Sequence, residues 1–197
     1  MEQHVEMAAL KASLGLWPMN TDRREVYGTG SPEGVVTANP STYYTDTAGT
    51  VGAWRWLKTS GTGNTGWTVV DGDTGWRNVT SDLISVTGVD GIYLKRRLDL
   101  VTVLIRFNAN IAAAGAITTN PISTGFSPIA HPKAAAWRPL APIGRATQTG
   151  WLTITSGNEN AGPAILASTI TATASSRAEA TWATDAAWPT TLPGTAA

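Results

Sequence analysis

The chain has 197 residues, with 14 Lys and Arg balancing 14 Asp and Glu, no cysteine, and 14% charged side chains. Zero net charge removes the long-range attraction on which nucleic-acid and anionic-membrane binders depend, so no nucleic-acid partner is expected. Without thiols there are no disulfides and no Cys-based metal sites, and no apolar run nears the ~20 residues that span a bilayer, so no membrane insertion is expected.

Residues 2–16 are the one clear helical stretch. Met7, Leu10 and Leu14 share a face, with Val5, Ala8 and Ala12 beside it. Glu2 and Glu6 suit a helix N-terminus, and Gly15 and Pro18 end it. An isolated helix this short is marginal in water, so it is expected to attach to something, with residues 1–24 as an attachment arm and 17–27 reading as linker. The acidic, polar start does not have the basic-then-apolar pattern of a signal peptide, which points to synthesis in a cytoplasm and release by lysis.

From 25 to 80 the apolar runs are short and are cut every few residues by Gly, Pro, Asn or Asp. This texture predicts β-hairpins, with strands at Val35-Val36, Tyr43-Tyr44, Ala53–Lys58 and Trp67–Val70. Trp54 and Trp56, two apart, are expected on one face of a strand. So small a segment buries little apolar surface of its own. The expectation is an intertwined β connector covered by other copies of itself in a small oligomer, with Trp54, Trp56, Trp67 and Trp76 packing inside it.

Residues 81–197 carry strand character at Leu83–Thr87, Gly91–Leu94, Leu98–Asn108, Trp151–Thr155, Ala164–Ala174 and Ala178–Thr184. In Val101–Phe107 the odd positions are apolar, and Ala178, Ala180 and Trp182 alternate likewise, the mark of half-buried strands. Short strands between turn signals predict an antiparallel, jelly-roll-like β-sandwich head. A long loop with five prolines is expected over 108–143.

The run Gly30-Ser31-Pro32-Glu33-Gly34-Val35-Val36-Thr37-Ala38, then Tyr43, Tyr44 and Asp46, then Trp56-Leu57-Lys58 and Ser60–Trp67, resembles a module recurrent in bacteriophage tail-fibre and minor tail proteins, especially of actinobacteriophages. The close Trp188-Pro189-Thr190-Thr191-Leu192-Pro193-Gly194 resembles the end of such fibre heads, as do Trp137-Arg138-Pro139 and Gly150–Ile154. The resemblance implies a mostly β homotrimer in the virion, at the tail tip or fibre. Its N-terminus would meet other tail or baseplate proteins, and its β-rich head would bind a host cell-surface glycan. A head fibre or capsid decoration protein is the alternative within the virion, and a polysaccharide-degrading enzyme the alternative outside that class.

Catalytic constellations are scarce, and no enzyme, cofactor or metal is expected. The two histidines, His4 and His131, fall in different predicted parts, and the Gly-x-Ser-x-Gly elbow is absent. Asp71 and Asp73 fit a turn better than a Ca²⁺ loop, which needs further ligands and a closing Glu. Gly61, Gly63 and Gly66 mimic a dinucleotide fingerprint, but a strand pattern follows where the phosphate site needs a helix. Neither Glu33 with Asp46 nor Glu159 with Asp185 is singled out as a glycosidase pair. Trp137 and Trp188, beside loop prolines, and the basic run Lys95-Arg96-Arg97 are the candidates for receptor contact.

Overall fold

The computed structural model of the chain describes residues 25–83, 88–109, 115–116, 122, 125–127, 138–142, 151–155, 164–167 and 176–197. The expected attachment helix, with Met7, Leu10 and Leu14, lies outside these residues, as do Trp137 and His131. The described residues are mostly β, with one helical turn, α1 (Thr80–Leu83). They fall in two compact units, one holding 25–50 and 54–71, the other 51–53 and the residues from 72 onward.

In the first unit, β1 (Glu25–Gly28), β2 (Tyr43–Asp46), β3 (Ala53–Lys58) and β4 (Trp67–Gly72) form a sheet in that order. β2 and β3 are antiparallel, with Tyr44 opposite Trp56. β1 instead runs parallel to β2, from Glu25 opposite Tyr43 to Gly28 opposite Asp46. The connection between them is therefore a crossover rather than the expected hairpin, and residues 25–27, read as linker, belong to a strand. Val35-Val36, read as a strand, is a turn: both N–H groups donate to the Pro32 carbonyl, at 3.0 and 2.9 Å. Pro32 fixes φ at the turn's start, and this local bonding takes the donors that a ladder would need.

The unit closes its own small core, where burial by sister chains was expected. Tyr44, Trp56 and Trp67 are buried within the single chain, and Lys58 is buried with them. Tyr44 and Trp67 meet edge to face, ring centroids 6.0 Å apart. Burial, and then the Asp46 carboxylate, pushes the Tyr44 phenol above its usual range. Trp54 does not join this core; it is 44% exposed, and the buried positions of β3 are Ala53, Trp56 and Lys58.

Polar side chains supply what apolar area does not. The Glu33 carboxylate accepts from the Gly66 and Trp67 N–H groups at 3.2 and 2.8 Å. Asn64 Nδ2 donates to the Gly34 carbonyl at 2.7 Å, while Gly34 N–H donates back to the Asn64 carbonyl at 2.8 Å. Trp67 Nε1 donates to the Val36 carbonyl at 3.0 Å. Lys58 Nζ donates to the carbonyls of Ser60 and Thr65. Asp46 Oδ1 accepts from the Gly30 and Ala48 N–H groups, each at 2.9 Å. The bonds of Glu33, Asn64 and Trp67 thus tie the turn at 30–36 to the loop at 60–66, while Asp46 Oδ2 and Trp56 Nε1 are buried without a hydrogen-bond partner among the described residues.

In the second unit, β5 (Arg77–Asn78), β6 (Val89–Arg97) and β7 (Leu100–Phe107) precede β8 (Gly115–Ala116), β9 (Arg138–Pro142), β10 (Trp151–Thr155) and β11 (Ala164–Ala167). β12 (Ser176–Ala183) and β13 (Thr195–Ala196) follow. One sheet, all antiparallel, has the order β12-β7-β6-β5-β13; a second has the order β8-β11-β10-β9. β12 and β9 lie close to one another. The stretch 108–143, read as one loop, contains β8 and β9. Pro139 and Pro142 are tolerated because β9 is an edge strand, where no second ladder needs their missing N–H. α1 ends at Leu83, where a strand was expected, and residues 84–87 lie outside the described set.

Alternation sets the inner face of the five-stranded sheet. Val101, Val103, Ile105 and Phe107 of β7 are buried, flanked by Ile92 and Leu94 of β6 and by Ala178, Ala180 and Trp182 of β12. Phe126 and Ile122 are also buried, and Trp182 Nε1 donates to the Phe126 carbonyl at 2.9 Å.

Two substitutions test the motif network. Glu33→Ala strands two loop N–H groups and is expected to lower unfolding free energy by about 1–2 kcal/mol. Gly66 has φ +89°, and a Cβ there would lie 2.6 Å from the Ser60 carbonyl oxygen. Gly66→Ala is therefore expected to lower it by at least about 1 kcal/mol. Urea unfolding followed by tryptophan fluorescence reads both; unchanged midpoints would mean that the network carries no stability.

Candidate functional site

The basic run Lys95-Arg96-Arg97 ends β6, so alternation divides it between two faces. Lys95 and Arg97 point outward, whereas Arg96 follows Ile92 and Leu94 inward and is 6% exposed. Its guanidinium donates to four carbonyls: Leu98 at 2.7 Å, Gly125 at 2.5 Å, Ala187 at 3.0 Å and Ala186 at 2.9 Å. Burial lowers the Arg96 pKa to about 10, so it stays charged at neutral pH. Trp188 lies beneath it, with the guanidinium carbon 4.9 Å from the ring centroid, and Trp188 Nε1 donates to the Val51 carbonyl at 2.9 Å. Trp188 is 8% exposed. Both residues were expected as surface contacts; the structure instead makes them an internal clamp on the C-terminal segment. The period-two pattern through Ile92, Leu94 and Arg96 was a signal that could have placed Arg96 inside.

The outward residues border a groove. It has a volume of about 370 Å³ and is lined by Trp76, Lys95, Arg97, Leu100, Thr102, Glu179 and Thr181. Register explains how they meet. Lys95 pairs with Thr102, and Thr102 with Thr181, so three strands give one row across the sheet. Arg77 pairs with Leu94, so the residue before it, Trp76, continues that row opposite Lys95. Arg97 and Leu100 pair one step to one side. Glu179, opposite Leu104, lies on the other.

The groove's polar groups differ in how far they are engaged. Lys95 Nζ is 3.0 Å from Asp73 Oδ2, both partly exposed. The Thr102 and Thr181 hydroxyls are 3.0 Å apart. Arg97 and Glu179 have no ion pair or side-chain hydrogen bond among the described residues. The lining therefore offers an indole, an aliphatic side chain, two hydroxyls, two cations and a carboxylate. Such a set can hold a hydroxyl-rich ligand by stacking and hydrogen bonds. A glycosidase needs two carboxyl groups across its cleft, and this lining supplies one.

Of the residues singled out from sequence, Lys95 and Arg97 line this groove, and Trp76, expected in the connector, joins them. Trp54, Trp56 and Trp67 belong to the first unit. Leu100, Thr102, Glu179 and Thr181 were not singled out; the pairing of β7 with β6 sets the first two beside Arg97 and Lys95, and only the pairing of β12 with β7 adds the other two. Among the described residues, no cluster of three or more His, Asp or Glu side chains is placed to hold a metal ion. No family model, curated protein or solved structure matches the chain.

The clamp has a clear expected signature. Arg96→Lys removes the planar fork and with it most of the four carbonyl contacts, lowering unfolding free energy by about 2–4 kcal/mol. Arg97→Lys, one residue on but exposed, is expected to change it by less than about 0.5 kcal/mol. Thermal melts of the two proteins side by side would show the contrast; equal melting temperatures would contradict the buried clamp.

Proposed function

We propose that the chain is a structural, adhesive protein of a long-tailed phage virion, a homotrimeric tail fibre or receptor-binding protein that attaches without covalent chemistry to a bacterial surface glycan. Its N-terminal residues 1–24 would join it to other tail or baseplate proteins. The second unit would be the head, its two sheets forming a jelly-roll-like sandwich. The observation that carries this reading is the identity of the motif residues with the network of the first unit. Glu33, Asp46, Lys58, Asn64, Gly66 and Trp67 are both the residues of the resemblance and the ones that hold the turn and loop together. The quoted residues thus build a folding unit of this chain and are more than a string of glycines, which supports the reading.

Two further features support it. Tyr27, Val35, Trp54 and Val70, all in the first unit, are large apolar residues left exposed. Exposed apolar groups of this kind suit contact with other copies. Each strand of the unit pairs within its own chain, and an intertwined connector in the trimer would bring these exposed residues against neighbouring copies. The groove of the second unit is of a size and polarity that suit a saccharide. Three copies of a weak site act together when geometry lets them engage at once.

Light scattering is expected to give a mass near three times the 20.6 kDa of one chain. Fluorescently labelled protein is expected to coat cells of the bacterium that the phage infects. A monomer would remove the trimer, and a trimer that coats no cells would favour a head fibre or decoration protein. Release of reducing ends from host wall polymer would favour the enzyme.

A further inference from the structure

The geometry of the outer groove points to its ligand class: we infer that it binds an acidic saccharide, with a sugar ring on Trp76 and the ring's carboxylate or phosphate on Arg97. This deepens the adhesive reading above and rests on it. Trp76 stands at the end of the row Lys95–Thr102–Thr181, half-buried, and presents an aromatic surface beside three polar side chains. An indole beside hydrogen-bonding groups suits a ring with an apolar face and a hydroxyl rim. The volume of about 370 Å³ stands near the lower end of the roughly 300–1,000 Å³ of ligand pockets, enough for about one or two sugar rings.

Charge separates the two ends of the groove. Arg97 sits beside Leu100, and Glu179 sits opposite Leu104. Four residues of strand, about 13 Å, lie between those positions, so the carboxylate does not neutralise the guanidinium. Lys95 is already held by Asp73, which leaves Arg97 as the groove's cation with no ion pair among the described residues. A planar guanidinium suits carboxylate or phosphate oxygens, which it takes two at a time. At the far end Glu179 accepts from sugar hydroxyls, and the Thr102–Thr181 pair faces the middle of the ring system. A neutral glycan would leave Arg97 unused, and a polyanion with charge along its whole length would meet Glu179.

The full-length protein is tested on an array printed with matched neutral, carboxylated and phosphorylated bacterial saccharides, beside its binding to whole cells. Acidic members are expected to be retained and neutral ones not, and the carboxylated and phosphorylated arms tell which acid is used. Arg97→Gln is expected to weaken binding to acidic members by about tenfold. Leu100→Glu, at a position 50% exposed and so tolerant of change, adds a negative charge beside Arg97 and is expected to weaken it similarly. Arg106→Gln, at an exposed arginine paired with Asp90 and outside the lining, is expected to bind as the unaltered protein does. Equal retention of neutral members, or unaltered binding by Arg97→Gln and Leu100→Glu, would overturn the inference while leaving adhesion standing if cells are still coated. Protein that coats cells but retains no acidic member overturns it too. Protein that neither coats cells nor retains a saccharide overturns the adhesive reading and this inference together.

Discussion

A chain that turns every few residues leaves many backbone N–H and C=O groups outside any ladder, and each must find a partner where water is excluded. The described residues meet that constraint with polar side chains sent from strands and turns onto loop backbone. Glu33, Asp46, Lys58 and Asn64 do this in the first unit. In the second, Thr74 accepts from the Arg96 N–H, Arg77 donates to the carbonyls of Pro193 and Gly194, and Arg96 donates to four carbonyls at once. Hydrogen bonds to charged groups are worth more than neutral ones, about 1.5–3 kcal/mol each, so a few such residues can fix long irregular segments. This is how a stretch with few apolar residues closes a core within one chain.

Local pattern was readable from the residues; pairing was not. Ala53–Lys58 and Trp151–Thr155 are strands at the bounds that composition and turn residues mark. The alternation of Val101–Phe107 and of Ala178–Trp182 correctly puts the apolar set on the buried face. The parallel pairing of β1 with β2 had no local signal, because it depends on the loop between them being tied to Asp46 and Asn64. Lys58 and Arg96 look like solvent residues by type, yet both are buried, their charges held by carbonyls and, among the described residues, in no ion pair. Type alone misplaces such residues; period places these two, each two positions from a buried apolar neighbour on its strand, Trp56 and Leu94, although Trp54, equally two from Trp56, is exposed.

The same alternation that makes a core makes a candidate site. With Val101 and Val103 committed inward, Leu100 and Thr102 face out, and the flanking strands add Lys95, Arg97, Glu179 and Thr181. The groove therefore follows from strand order more than from any motif. This fits a division of labour in the chain: the longest run of the resemblance lies in residues that build the first unit, while none of the groove's lining residues belongs to a stretch that carries the resemblance. On the adhesive reading we propose, the second unit could change its specificity by substitution on an outer sheet face without disturbing what folds it.

We propose that this chain is an adhesive component of a phage tail, and its place on the particle tests that most directly. Immunogold labelling of intact virions with antibody against the second unit is expected to put gold at the tail tip or fibres. Gold over the capsid, or none on the particle, would contradict the account.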